Sequence, residues 1–201
     1  MLVIDWITQN YIELIAAALG FLAISLQIKQ NVWYWLVSIV MVSMYIYVYI
    51  QSKLYADMSL QVYYLVVAFY GWHYWLKGGR RKSPDKEEVP VIRAGFVFRL
   101  VLLGISILLF FFIAWILIRF TDSDVPWWDA FTTALSFVAT WMLARKYIEN
   151  WLIWIVVDAT SVGIYLYKGL YPTTVLFAAL SILAVVGYYA WLKDLKKEVS
   201  S

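Results

Sequence analysis

Residues 149–171 read ENWLIWIVVDATSVGIYLYKGLY, and residues 33–55 read WYWLVSIVMVSMYIYVYIQSKLY. Laid over each other at a shift of 116, they share Trp35/Trp151, Leu36/Leu152, Ile39/Ile155, Val40/Val156, Tyr49/Tyr165, Leu54/Leu170 and Tyr55/Tyr171. The register runs on without a gap, from Gly20–Lys77 onto Ser136–Lys193. It includes Phe21/Phe137, Ala23/Ala139 and Leu60/Leu176, and both copies close on Gly-x-x-x-Trp-Leu-Lys, at Gly71–Lys77 and Gly187–Lys193. Self-similarity at a fixed shift marks a duplicated structural unit.

Composition says where such a unit lives. Of 201 residues 64% are hydrophobic and 14% are charged, with a mean hydropathy of +0.76. Soluble domains average about 45–50% apolar and about 25% charged, so this is a polytopic membrane chain. Seven apolar spans are predicted, roughly Tyr11–Ile28, Trp33–Ile50, Met58–Leu76, Phe96–Ile118, Trp128–Arg145, Trp151–Tyr167 and Thr173–Leu192. Each is near the length that a helix rising about 1.5 Å per residue needs to cross about 30 Å of hydrocarbon. Helix is required because lipid satisfies no backbone hydrogen bond. The N-terminus has no Lys or Arg before its apolar run and carries Asp5 and Glu13, so it reads as a retained first helix rather than a signal peptide.

The duplication then sets the architecture. Three spans carry a chain from one side to the other, and one linking span returns it, so the two copies point the same way. The expected fold is an all-α membrane protein of two parallel three-helix repeats joined by a linker helix, 3+1+3. Repeat one covers 11–77, the linker and fourth span 78–127, and repeat two 128–193, within one integral membrane domain. Parallel repeats related by an axis along the membrane normal occur in transporters, which place the substrate at the repeat interface near the midplane.

Positive charge sets the orientation. One side holds Lys29, Lys77, Arg80, Arg81, Lys82, Lys86, Arg93, Arg145, Lys146, Lys193, Lys196 and Lys197; the other holds Lys53, Arg119 and Lys168. The N-terminus is therefore expected outside and the C-terminus in the cytoplasm. Most of the twelve tryptophans sit at span ends, as an interfacial belt does. His73, at the cytoplasmic end of the third span, reads as interfacial, Glu13 and Asp129 as hydrated at outer span ends, and Arg80–Lys82 as a topology signal.

Differences between the copies point to a site. Asp158 lies on Val42, Trp154 on Ser38, and Gln61 on Phe177. A carboxylate in the middle of a span is costly and marks function by default. Trp151, Trp154, Asp158, Ser161 or Val162, and Tyr165 fall on one face of the sixth span. Asp57, Gln61, Tyr64 and Ala68 share a face of the third, with Trp72 a turn on. An indole face attracts a cation, a carboxylate neutralises it, and an amide fixes orientation. The pattern suits a flat, aromatic cation, with substrate-binding residues Asp158, Trp154, Trp151, Gln61, Tyr64, Ser161 and Tyr165. The bland alternatives are interhelical hydrogen bonding by Asp158 and Gln61, and a belt role for Trp151, which matches Trp35.

No cysteine is present, which excludes thiolate metal sites and disulfides. With one histidine, no P-loop and no Ser-His-Asp or HExxH pattern, neither ATP drive nor enzyme chemistry is expected, and no cofactor, metal or nucleic acid.

The chain resembles the PnuC family of bacterial vitamin transporters. LYADMSLQ followed by YGWHYWLK in the first copy, and ENWLIWIVVDATSVGIYLYKGLY followed by GYYAWLK in the second, carry the resemblance, which spans about Tyr11 to Lys193. It implies a SWEET-like fold in the bacterial inner membrane. It implies facilitated diffusion of a vitamin precursor, trapped afterwards by a cytoplasmic kinase, and it admits a homo-oligomer. The family's binding residues would fall on Trp151, Trp154 and Asp158, and on Gln61. Some of its nicotinamide riboside transporters have asparagine where this chain has Asp158. Nicotinamide riboside is the first expectation and thiamine the alternative, since both carry a fixed positive charge on an aromatic ring. A non-transporting membrane sensor or assembly subunit is the reading from another class.

Overall fold

The structure is a computed structural model that describes residues 19–51, 55–82 and 89–200. The start of the first predicted span, Glu13, Leu54 of the repeat and the charged middle of the linker lie outside the described residues. The described elements are helices: α1 (Leu19–Ile28, the described part), α2 (Trp33–Gln51), α3 (Tyr55–Lys82), α4 (Phe96–Phe120), α5 (Pro126–Ala144), α6 (Glu149–Tyr167) and α7 (Tyr171–Ser200). By length and composition Phe96–Phe120, Glu149–Tyr167 and Thr173–Lys197 suffice to cross a membrane, while Leu19–Ile28 and Trp33–Tyr47 are apolar but shorter. At 30 residues α7 is about 45 Å long, so its charged end, Lys193–Lys197, extends past a hydrocarbon core.

The chain divides into two compact units after Val89. In the first, α1 ends in a Schellman turn. Gln30 takes φ of 55°, the Asn31 N–H reaches back to Leu26 O at 2.9 Å, and the Gln30 N–H to Gln27 O at 3.0 Å. The Asn31 side chain then accepts the Trp33 N–H at 2.9 Å and starts α2. Trp35, 1% exposed, lies on α3 at Gly71, where a Cβ would collide with its indole. It meets Trp75 edge to face, with centroids 5.5 Å apart at 86°.

The second unit does the same things 116 residues later. α5 ends with Lys146 at φ of 56°, the Tyr147 N–H on Met142 O at 3.0 Å and the Lys146 N–H on Leu143 O at 2.9 Å. Trp151, also 1% exposed, lies on Gly187 of α7 and meets Trp191 edge to face at 5.5 Å and 89°. Only glycine lets an indole approach a helix backbone this closely, the small-residue device of membrane helix packing.

α4 belongs with the second unit, packing on α5. It buries Leu102, Ser106 and Ala114 and leaves most of its remaining apolar surface exposed, as suits a lipid-facing helix. Its entry is tied down. Residues 89–95 run extended, and Ile92 pairs with the α5–α6 turn through Ile92 N–H to Lys146 O and Ile148 N–H to Ile92 O, both 3.0 Å. The Ala94 N–H donates to both carboxylate oxygens of Glu149, at 3.2 and 3.1 Å. α5 packs against both α4 and α6, and Ala130, Ala134, Ala139 and Ala144 give it the slimness to do so.

Candidate functional site

Asp158 lies two and a half turns into α6 and is 5% exposed. Among the described residues it has neither a hydrogen-bond nor an ion-pair partner. The interhelical hydrogen bond weighed from the sequence is not made by any described residue. A carboxylate held out of water without a partner carries a desolvation cost of several kcal/mol, roughly, that the fold does not repay.

Its neighbours on the α6 face divide into three kinds. Ser161 is buried, but its hydroxyl donates back to Val157 O at 2.9 Å, which leaves its oxygen lone pairs as the polar resource. Tyr165 is partly buried and stacked on Phe177 of α7, centroids 5.1 Å apart and planes at 20°, so its ring is held while its hydroxyl end varies. Trp154, one turn or about 6 Å before the acid, is partly buried and makes no ring contact with a described residue.

Trp151 is different. It is sealed between Gly187 and Trp191, and its indole N–H is buried without an acceptor, as is that of Trp35 in the first unit. Because the orphaned N–H recurs in both units, it belongs to the shared indole-on-glycine seat rather than to whatever distinguishes α6. At Val42, the position matching Asp158, the side chain is 6% exposed. The two units thus bury this position equally and fill it with opposite chemistry. On α3 of the first unit Gln61 is partly buried, and Tyr64, also partly buried, sits edge to face with Tyr63 at 5.6 Å. Of Asp57 only its helical position is described.

Three features had no reading in the sequence. Asn150 is fully buried at the start of α6, its amide N–H donating to Tyr147 O at 2.6 Å. Glu149 holds the segment before α4. A cavity of about 640 Å³ lies on the face of α6 opposite Asp158, walled by Asp124, Trp127, Trp128 and the last turns of α6. The glycine of Gly-x-x-x-Trp-Leu-Lys is the sequence signal for the indole seats.

The profile of the nicotinamide mononucleotide transporter family matches residues 10–193. The chain belongs to that family. Among curated relatives, the nicotinamide riboside transporter PnuC of Escherichia coli is 24% identical over 95% of this chain and 89% of its own length. The PnuC of Neisseria mucosa is 26% identical over 94% of this chain and 74% of its own. The riboflavin/roseoflavin transporter RibM of Streptomyces davaonensis is 21% identical over 89% and 83%. The crystal structure of the vitamin B3 transporter PnuC matches with a TM-score of 0.75 at 24% identity, covering 98% of this chain and 86% of that one. The resemblance drawn from the sequence is thus to the right family. This member is a multi-pass membrane transporter with helices as its elements among the described residues, and the relatives named above are transporters.

Proposed function

We propose that this transporter carries a cationic, aromatic vitamin precursor by facilitated diffusion, with nicotinamide riboside as the first substrate and thiamine as the alternative. The observation that carries the reading is Asp158: buried, without a partner among the described residues, and one turn from Trp154, whose indole meets no other described ring. A fixed positive charge on a flat ring supplies what both lack. The carboxylate gains its counter-ion, and the indole face gains a cation worth about 0.5–2 kcal/mol once water is excluded. A neutral flavin, the cargo named for RibM, would leave the acid uncompensated, so the charge favours the pyridinium or thiazolium ligand.

Tyr165 and Ser161 complete the α6 wall, the first with a ring held by Phe177, the second with oxygen lone pairs. Gln61 and Tyr64 of α3 are assigned to substrate from the sequence, as hydrogen-bonding groups. Trp151 is assigned a supporting part, holding α6 on α7 so that Trp154 and Asp158 keep their angles. The chain is read as two parallel three-helix repeats joined by α4, 3+1+3. What supports this is the recurrence, 116 residues apart, of the positive-φ turn at Gln30 and Lys146 and of the indole seats at Trp35 and Trp151. The N-terminus is assigned outside and the C-terminus inside, from the charge asymmetry. Net uptake is assigned to a cytoplasmic kinase that removes free substrate.

The test is a binding panel and a flux assay on one preparation. Calorimetry with nicotinamide riboside and thiamine should show binding of one or both to the wild type. Asp158→Asn should weaken it by at least about tenfold, as expected when a desolvated charge pair loses one partner. Proteoliposome uptake should be saturable and independent of ATP and of proton or sodium gradients. Binding of both cations unchanged in Asp158→Asn, or uptake that needs an ion gradient, refutes the proposal.

A further inference from the structure

We propose that the cavity on the outer side of the α5–α6 pair is a binding site for a single phospholipid whose headgroup carries an ammonium. It lies wholly within the second unit, on the face of α6 opposite Asp158, and so is separate from the substrate site proposed above.

Its floor is a trough cut into a membrane-facing stripe. Leu152, Val156, Ala159, Gly163 and Tyr167 recur at helical spacing and are all exposed. In a spanning helix, an exposed apolar stripe faces lipid tails. At Gly163 a side chain is missing and a Cβ would meet nothing within 4 Å, so the stripe is indented there. Thr160 adds no free donor, since its hydroxyl is given to Val156 O at 2.8 Å. From Ala159 to Tyr167 the trough runs about 12 Å, the length of several methylenes in a tail.

Its end is polar and of one sign. Asp124, exposed in the α4–α5 turn, closes the cavity beside Trp127, Trp128 and Tyr167. Neighbouring Asp129 is engaged by the Ser123 hydroxyl at 2.6 Å, which leaves Asp124 as the lining carboxylate. A carboxylate among aromatic faces attracts an ammonium by ion pairing and through the ring quadrupoles. Tryptophan and tyrosine at the ends of spanning helices also fix this end at headgroup depth. One molecule that presents a cationic head and an apolar tail at that separation matches both halves. A water-soluble cation would use only the acidic end, and an anionic lipid would meet Asp124 as a like charge. The volume, about 640 Å³, admits a head and the upper part of one chain.

The test uses the full chain, delipidated in detergent and titrated with phosphatidylethanolamine or phosphatidylglycerol of identical acyl chains, with bound lipid counted by native mass spectrometry. Wild type should take up the first ethanolamine lipid about threefold more readily than the first glycerol lipid, the size of an exposed ammonium–aromatic and ion-pair preference. Asp124→Asn should bring that ratio to about one, while Gly163→Leu, which adds a side chain where a Cβ meets nothing within 4 Å, should reduce the first adduct of both lipids. Equal uptake by wild type, an unchanged ratio in Asp124→Asn, or a Gly163→Leu effect on oligomeric state in place of lipid count overturns the proposal; the last would make the groove a contact between copies. Should Gly163→Leu fail to fold, Asp124→Asn, on an exposed turn, still decides.

Discussion

Replacing Gly187 by alanine tests the packing that orients α6. The added Cβ would lie 2.5 Å from one carbon of the Trp151 ring and 2.6 Å from two others. Carbon atoms rest about 3.5–4.0 Å apart, so the ring must retreat by roughly 1 Å. Its room is small, because Trp151 is buried and its ring also meets Trp191 at 5.5 Å. Overpacking of this kind costs about 1–3 kcal/mol, and loosening the edge-to-face pair adds about 0.5–1.5 kcal/mol. Alanine returns up to about 1 kcal/mol of helix propensity. The net expectation is a loss of about 1–3 kcal/mol, read as a lower melting temperature in detergent. A double-mutant cycle isolates the cause. On a Trp151→Leu background, where the ring is gone, Gly187→Ala should be neutral or mildly stabilising, which gives a coupling of at least about 1 kcal/mol. Gly71→Ala with Trp35→Leu should repeat the pattern in the first unit. Additive effects, or a Gly187→Ala protein as stable as wild type, would refute the indole seat.

Two further outcomes follow from the same geometry. Trp154→Ala should weaken binding of the cationic precursor by roughly 2- to 30-fold, corresponding to about 0.5–2 kcal/mol, with little change in melting temperature because the ring packs on no other; calorimetry and a thermal melt on one sample check both halves. Glu149→Ala should cost about 1–2 kcal/mol by freeing the Ala94 N–H, while Glu149→Gln, which keeps an acceptor, should lose less; thermal melts of the three proteins decide.

Much of the helical plan was legible, because seven apolar runs and a 116-residue register are properties of one-dimensional order. Over its described residues, each predicted span falls on a helix. The register even located turn geometry, since Gln30 and Lys146 take the same positive φ although the two residues have nothing chemically in common. What sequence could not supply was the partner of each side chain. Trp151 and Trp154 look alike in a Trp-x-x-Trp pattern, yet three residues rotate a helical position by about 300° and nearly one turn of depth, enough to seal one ring on a glycine and leave the other without a ring contact among the described residues. The clamp from Glu149 to Ala94 joins residues 55 apart through a backbone N–H, which leaves no mark on composition. The cavity beside Gly163 was invisible for the same reason: an indentation is made by what several elements omit.

The equal burial of Val42 and Asp158 allows the cost of the acid to be separated from the needs of the fold. If packing alone set this position, the second unit would accept valine as the first does, because the turn before it and the indole seat beside it are the same. Asp158→Val should then fold and be at least as stable as wild type. Removing a buried carboxylate that has no partner among the described residues relieves a penalty of about 2.5–3.5 kcal/mol on the insertion scale, and helix propensity barely distinguishes valine from aspartate. The same variant should lose binding of the cationic precursor and its uptake. Stability gained together with function lost is the signature of a residue retained for its ligand, since sites commonly hold groups that the fold would do better without. An Asp158→Val protein that melts well below wild type would place the acid among the residues that build the bundle. The reading of Asp158 as the counter-ion would then fall with it.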